Sequence, residues 1–321
     1  MTSLKKRLVL VGAAAVVLAG VGVGYSVYAS ARSGDSAHAA ADAAPETDEG
    51  LYLRGSDGYV VLQRGEGDSS RTGTGLECNR FYAAGRTAVC VSVEGALKPT
   101  TKVEVLDADL APAETFTYSG VPTRARVSPS GRMVAWTVFV TGDNYAGTDF
   151  STRTGIFDRD TGRIVDSLEG IPLYIDGERV HRVDVNYWGV TFAEDDNTFY
   201  ATASTGGKTY LVVGDVAEWS AMTIRENIEC PSLSPDGTRI AFKKRVNDSV
   251  DDPWRLYVLD LATMQETPLA EDRNVDDQAE WTDDDTVAYG VDGGVWEVPA
   301  DGTGTPELVA ENASSPSMVR G

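Results

Sequence analysis

Two histidines, three cysteines and 49 acidic residues are what this chain offers to chemistry. A serine hydrolase needs a histidine base within reach of its nucleophile. No Gly-x-Ser-x-Gly nucleophile elbow occurs. His181 stands in His181-Arg182-Val183-Asp184-Val185-Asn186-Tyr187-Trp188, a polar and aromatic stretch that a ligand-binding loop could use. The pairs Asp107/Asp109 and Asp158/Asp160 have the Asp-x-Asp spacing of a calcium loop. Neither continues into the longer series that ends in a bidentate Glu, so they read as turn residues whose side chains bond the local backbone. Asp283-Asp284-Asp285 reads as a solvated hairpin tip. So few soft ligands exclude the common zinc patterns, and neither metal nor cofactor is expected. Carboxylates flanking a pocket can hydrolyse glycosides when their separation is right. Candidates are Asp276, Asp277 and Glu77, joined by Asn186, Tyr187, Trp188 and Asn227, each placed where a predicted strand begins.

Those residues need a scaffold. A chain of 321 residues, 42% of them hydrophobic, is too long for a small stapled scaffold and fits two average domains or one large repeat fold. Its formal charge of -21 repels phosphate backbones, which excludes a general nucleic-acid binder. Apolar residues spread along the chain exclude disordered and collagen-like classes. Lys5-Lys6-Arg7 precede the uncharged run Leu8–Ala29, a positive region followed by an apolar one that directs export. At about 22 residues the run is long enough to stay as a membrane-spanning anchor. Val27-Tyr28-Ala29 and Ala37-His38-Ala39 also offer small residues to a signal peptidase, so residues 1–29 are either an anchor or a cleaved signal. Residues 30–50 contain little apolar surface beyond alanine and are expected to be a flexible linker.

The segment Cys230-Pro231-Ser232-Leu233-Ser234-Pro235-Asp236-Gly237-Thr238-Arg239-Ile240-Ala241-Phe242 recurs. A close copy is Arg126-Val127-Ser128-Pro129-Ser130-Gly131-Arg132-Met133-Val134-Ala135-Trp136, and more worn copies lie at 81–90, 192–200 and 281–289. Each reads as strand, polar turn and strand, and the strong copies continue into a third and a fourth strand. Four short antiparallel strands per repeat make a β-propeller blade. The chain start from Leu51 lacks a first strand, and Ser315-Pro316-Ser317-Met318 resembles Cys230-Pro231-Ser232-Leu233. The expectation is therefore an all-β, six-bladed propeller over residues 51–321, closed by pairing of the two chain ends. That closure leaves no open sheet edge. A hidden seventh blade between Gly131 and Asp196 is the alternative.

The recurring Ser-Pro-Asp-Gly turn with its apolar strand resembles the WD-like repeat of the TolB type. Trp188-Gly189-Val190-Thr191-Phe192-Ala193, Phe199-Tyr200-Ala201-Thr202 and Tyr210-Leu211-Val212 are similar to stretches in exported TolB-like propellers of actinobacteria. TolB of Gram-negative cells carries an α/β domain ahead of its propeller and binds a peptidoglycan-associated lipoprotein. Here only the linker stands in that place, so the resemblance implies a partner-binding propeller and no more. Channel-mouth positions are where propellers bind ligands, which is the expected place of the seven candidates. Cys78 and Cys90 stand symmetrically about Ala84 and are expected to form a disulfide across a hairpin, as an exported compartment permits. Cys230, at the same repeat position as Cys78 and facing Phe242, is expected to be a free buried thiol. The expected function is a monomeric, non-enzymatic scaffold at the outer face of the cell membrane, held there through residues 8–29, or secreted after cleavage. It would bind an envelope protein or a small ligand, with a basic or cation-bridged partner suiting the acidic surface. The rival reading is an envelope hydrolase or lyase that uses the channel-mouth carboxylates.

Overall fold

The computed structural model describes residues 47–65, 70–95, 99–141 and 150–320. The repeat motif is a hairpin device. In Ser-Pro-x-Gly the first serine's Oγ accepts the amide of the residue that starts the next strand, Met133 on Ser128 at 3.0 Å and Arg239 on Ser234 at 2.9 Å. The glycine amide turns back onto the same serine's carbonyl at 2.9 Å in both copies. Gly131 and Gly237 take φ of 84° and 70°, which glycine adopts at no steric cost. Beyond the turn, alternation of buried and exposed positions sets the strand, as in Trp254–Asp260.

Blade 1 contains β1 (Gly50–Gly55), β2 (Tyr59–Gln63) and β3 (Arg71–Glu77); blade 2 contains β4 (Arg80–Ala84), β5 (Thr87–Glu94), β6 (Thr100–Leu106) and β7 (Pro112–Ser119). Blade 3 is β8 (Val121–Val127), β9 (Met133–Thr141), β10 (Ser151–Asp158) and β11 (Arg163–Val165). A short hairpin, β12 (Leu173–Ile175) and β13 (Glu178–Arg179), precedes blade 4, which is β14 (Asn186–Phe192), β15 (Thr198–Thr205), β16 (Lys208–Asp215) and β17 (Ser220–Glu226). Blade 5 is β18 (Glu229–Leu233), β19 (Arg239–Arg245), β20 (Trp254–Asp260) and β21 (Glu266–Pro268). Blade 6 is β22 (Glu280–Trp281), β23 (Thr286–Val291), β24 (Gly294–Pro299) and β25 (Glu307–Glu311). The last strand, β26 (Ala313–Val319), hydrogen-bonds to β1, giving the sheet order β26-β1-β2-β3.

These are six sheets around one axis, an all-β six-bladed propeller. The inner strands touch in sequence, β26 to β4 to β8 to β14 to β18 to β22 and back to β26. An apolar cluster fills every interface between neighbouring blades. Val89, Val91 and Val103 of blade 2 meet Val134, Trp136 and Val138 of blade 3. Leu53 of blade 1 meets Ala288 and Val295 of blade 6. The remaining four interfaces are packed in the same way. The core is thus a ring of sheet-on-sheet contacts, which accounts for the apolar residues being spread along the whole chain.

The six-blade expectation holds against its seven-blade alternative, and two further expectations change in detail. The long stretch before blade 4 holds no seventh blade: its β12–β13 hairpin extends blade 4 outward, with β12 parallel to β17. Cys78 and Cys90 are joined, but not as a symmetric hairpin pair. The hairpin register places Phe81, not Cys78, opposite Cys90. Cys78 sits in the connector ahead of β4, where its amide donates to the Gly58 carbonyl at 3.1 Å. The linker boundary also moves, because Thr47 donates to the Ala108 carbonyl and the Asp48 amide to the Tyr52 hydroxyl, seating residues 47–50 on the propeller. Residues 8–29, and the linker up to 46, lie outside the described residues. No helix among the described residues is long and apolar enough to cross a membrane.

Candidate functional site

Side chains on alternate positions of an inner strand point the same way. Each blade therefore sends two residues, two positions apart, toward the axis. Aligned on the repeat, the deeper level comprises Tyr82, Arg126, Thr191, Ser232, Glu280 and Ser317. There Arg126 Nη1 donates to Glu280 Oε2 at 2.5 Å and its Nη2 to Ser232 Oγ at 3.2 Å. The Tyr82 hydroxyl and the Met318 amide donate to Glu280 Oε1 at 3.1 and 3.2 Å. The Arg126 guanidinium also lies over the Tyr82 ring, 4.3 Å from its centre. Burial pushes the Tyr82 phenol up to about 12, so it stays a donor. Ser317 Oγ accepts the Ala83 amide at 3.0 Å, stitching blade 1 to blade 2. The channel at this level is closed by paired charges.

One level nearer the mouth stand Arg80, Arg124, Gly189, Cys230, Gln278 and Ser315. Four inner strands carry a β-bulge here, each shifting register within its first half. Gly189, Cys230 and Ser315 take φ of 62°, 48° and 50°. Bulges re-aim side chains and end regular pairing. A Cβ on Gly189 would lie 2.8 Å from the Cys230 backbone, so only glycine lets β14 and β18 approach this closely. Arg124 reaches Cys230 Sγ at 3.3 Å and Asp276 Oδ1 at 3.5 Å, while Arg80 donates to Ser315 Oγ at 2.7 Å and lies 3.9 Å from Asp277. The fully buried Lys243 ammonium pairs with Asp276 and sits 4.6 Å from the centre of the Trp254 ring. Burial raises the Asp276 carboxyl, but Lys243 and Arg124 outweigh it and hold it below the usual carboxylate range.

Over blades 3 to 5 the mouth opens into a cavity of about 1100 Å³. Its walls include Asn186, Asn227 and the β15–β16 turn, and its acidic lining includes Glu169 and Glu229. Asn186 is fixed by the Thr152 amide at 2.9 Å, and Asn227 spans to the Arg245 backbone through both its amide atoms. Glu229 is 2% exposed, and its Oε2 has no hydrogen-bond partner. Burial pushes its carboxyl up to about 7 in spite of Lys243 and Arg245 nearby. Glu169 is raised by burial as well.

Among the seven residues expected at the mouth, the structure sorts three groups. Asn186 and Asn227 line the cavity. Asp276 and Asp277 stand beside the axis, tied to cations. The other three do not contribute to the cavity: Tyr187 and Trp188 are fully buried in the blade core, because β14 has already begun, and Glu77 is exposed at the end of outer strand β3. Cys230 is a free buried thiol that packs with Phe139, Trp188 and Trp254, whereas Phe242 joins a different cluster. The register also places Cys78 two residues ahead of the level that Cys230 occupies. Arg124, Arg126, Glu229, Lys243 and Glu280 were missed. Their signal is a charge within a strand that otherwise reads as apolar, either in the few residues before a blade's first turn or in the strand after it.

No family model and no curated protein matches this chain. Solved structures that it resembles include TolB from Acinetobacter baumannii, with TM-score 0.58 and 15% identity over 84% of this chain and 66% of that one. This chain therefore spans just under two thirds of that TolB. A chain of a nidogen/laminin complex gives TM-score 0.55 and 9% identity over 84% of this chain and 98% of that one. A puromycin-hydrolyzing peptidase of Mycobacterium tuberculosis gives 0.48 and 16% over 83% and 45%. At such identities the likeness to the first two shows the fold alone, a β-propeller.

Proposed function

We propose that this chain is an exported, non-enzymatic propeller that captures a ligand, an envelope protein segment or a small molecule, in the cavity over blades 3 to 5. The carrying observation is the contrast in depth: a cavity of about 1100 Å³ sits beside a channel whose charges are already paired. A cavity of this size suits a ligand or a projecting peptide loop. The carboxylates of the rival hydrolase reading are less suited to proton transfer. Asp276 is committed to Lys243 and Arg124, and Asp277 accepts the Ser315 amide and faces Arg80. Residues 8–29 would hold the propeller at the outer face of the membrane. Pairing of β26 with β1 is, on this reading, the clasp that keeps the ring shut while a partner pulls on it.

Full-length protein in detergent, presented to envelope extract at low and high salt, tests the role. Capture should weaken as salt screens the acidic surface and should be reduced in a Ser204→Trp variant, whose indole would occupy part of the cavity. Turnover of glycoside or ester substrates that vanishes in Asp276→Asn or Asp277→Asn would overturn the binding reading, as would capture that Ser204→Trp leaves intact.

A further inference from the structure

The cavity's own charges identify the class of ligand. Its lining holds Glu169, Asp184, Glu226, Glu229 and Asp248 against Lys208 and Arg245. Some of these are already committed. Lys208 pairs with Glu226 at 2.9 Å, and Asp184 accepts Thr205 Oγ1 at 2.8 Å and the Gly206 amide at 2.7 Å. Glu169 is held in place by Ser167 and, at 3.4 Å, by Thr152. Glu229 alone among these acids combines deep burial with an oxygen that has no partner. A buried polar atom left unbonded costs about 1–3 kcal/mol, and such atoms are rare in folded proteins. A ligand donor would relieve that cost.

We infer that the cavity binds an organic cation, an alkylammonium or guanidinium group, which docks on Glu229 with Glu169 as the second acidic wall. The inference rests on the binding role proposed above and names its ligand. A carboxylate accepts from such donors with charge-assisted hydrogen bonds, which are about twice as strong as neutral ones. An anion would meet the acid excess. A bare divalent metal finds less support, since no three His, Cys, Asp or Glu residues among the described ones gather into a metal-holding group. A basic side chain projecting from a partner, or a free amine, has the required chemistry.

Binding should be linked to protons. Charged groups around Glu229 are Lys243 and Arg245 from β19, Arg124 from β8 and Asp276 from the segment ahead of β22. They set its ionisation against burial. A cation favours the ionised carboxylate, so affinity should rise with pH until Glu229 is fully ionised.

The test is calorimetric titration of the full chain in detergent with Nα-acetyl-lysine methylamide and with the same compound acetylated on Nε, which keeps its length and removes its charge. The charged probe should bind at least tenfold more tightly than the neutral one. Glu229→Gln and Glu169→Gln should each weaken it about tenfold, and Glu229→Gln should flatten its pH dependence between pH 5 and 8. Thermal midpoints no lower than the parent's at each pH exclude misfolding as the cause. Equal binding of the two probes, indifference to both substitutions, or no binding of either probe would sink the cation inference. Reduced partner capture in Ser204→Trp would still uphold the cavity as a binding site, so the two readings can fail separately.

Discussion

The channel and the cavity are a few residues apart along the same inner strands, and they hold buried charge differently: one as a close ion pair, the other as a carboxylate with an unbonded oxygen. In the channel, Arg126 and Glu280 pair directly, and Tyr82 and Ser232 bond them from two further blades, leaving only the Arg126 Nε without a partner. In the cavity wall, Glu229 is equally buried and keeps an oxygen unbonded. A paired and hydrogen-bonded buried charge can be retained for structure, whereas an unpaired one persists only if something else requires it. The blade 1 and 2 rim belongs with the channel. There the Cys78–Cys90 disulfide, the Arg80–Ser315 bond and the Arg54 bond to the Cys78 carbonyl at 2.8 Å leave little room to open. The difference separates what holds the ring from what waits for a ligand.

The most severe way to break the comparison is to remove residues 312–321. This takes away β26 and with it Ser315 and Ser317, the blade 1 members of both axial levels. It also exposes the edge of β1. Cooperative thermal unfolding should be lost or its midpoint lowered by more than 10 °C, an effect on the order of several kcal/mol. An unchanged transition and unchanged protease resistance would show that the clasp holds nothing.

Next in size is Glu280→Ala, which strands the Arg126 guanidinium in the closed channel. Breaking a buried pair from one side costs about 3–5 kcal/mol. Urea unfolding should report a loss of that order, with a good part recovered in the double variant Arg126→Met/Glu280→Leu. If the single variant loses less than about 1 kcal/mol, the channel is wetter and less structural than its geometry implies.

The smallest effect sharpens the cavity side. The Glu229 carboxyl is raised in the folded protein to about 7, above its value in the unfolded chain. Between those two values the unfolded chain has released the proton and the native protein has kept it, so stability falls as pH rises through this window. The stability held below it is lost by the time the pH passes about 7, an amount on the order of 3 kcal/mol for a shift of this size. Glu229→Gln should remove this slope and should leave the protein no less stable than the parent at pH 8. Urea midpoints measured from pH 4.5 to 8 decide it. A parent protein with a flat profile over that range would mean that Glu229 is not desolvated.

How much could be read before the structure follows from range. The Ser-Pro-x-Gly turn is a local device: its serine oxygen, its glycine φ and the strands on either side lie within a dozen residues, so the repeat and the blade could be read directly. Recurrence then fixed the propeller, and the likeness of Ser315-Pro316-Ser317 to Cys230-Pro231-Ser232 pointed to the chain ends. The two segments do share a bulge, with φ of 50° and 48° at its first residue. Asn186 and Asn227 were found because each opens or precedes an inner strand. Tyr187 and Trp188 were misplaced because the alternation that buries them also begins there.

Composition, repeat and turn chemistry were determined by the chain alone, and so was a set of strand-start acids, Asp276, Asp277 and Glu77, that left Glu229 out. Which buried acid keeps an oxygen without a hydrogen-bond partner was decided only by the ring. Arg126 meets Ser232 and Glu280 because equal repeat positions from blades 3, 5 and 6 converge on one axis, over separations of 106 and 154 residues. Asp276 pairs with Lys243 and Arg124, while Glu229, with the same two cations and Arg245 around it, keeps an oxygen unbonded, through contacts that no local pattern encodes. Burial and pairing of a charge are sums over neighbours from several blades, and those neighbours exist only once the ring has closed.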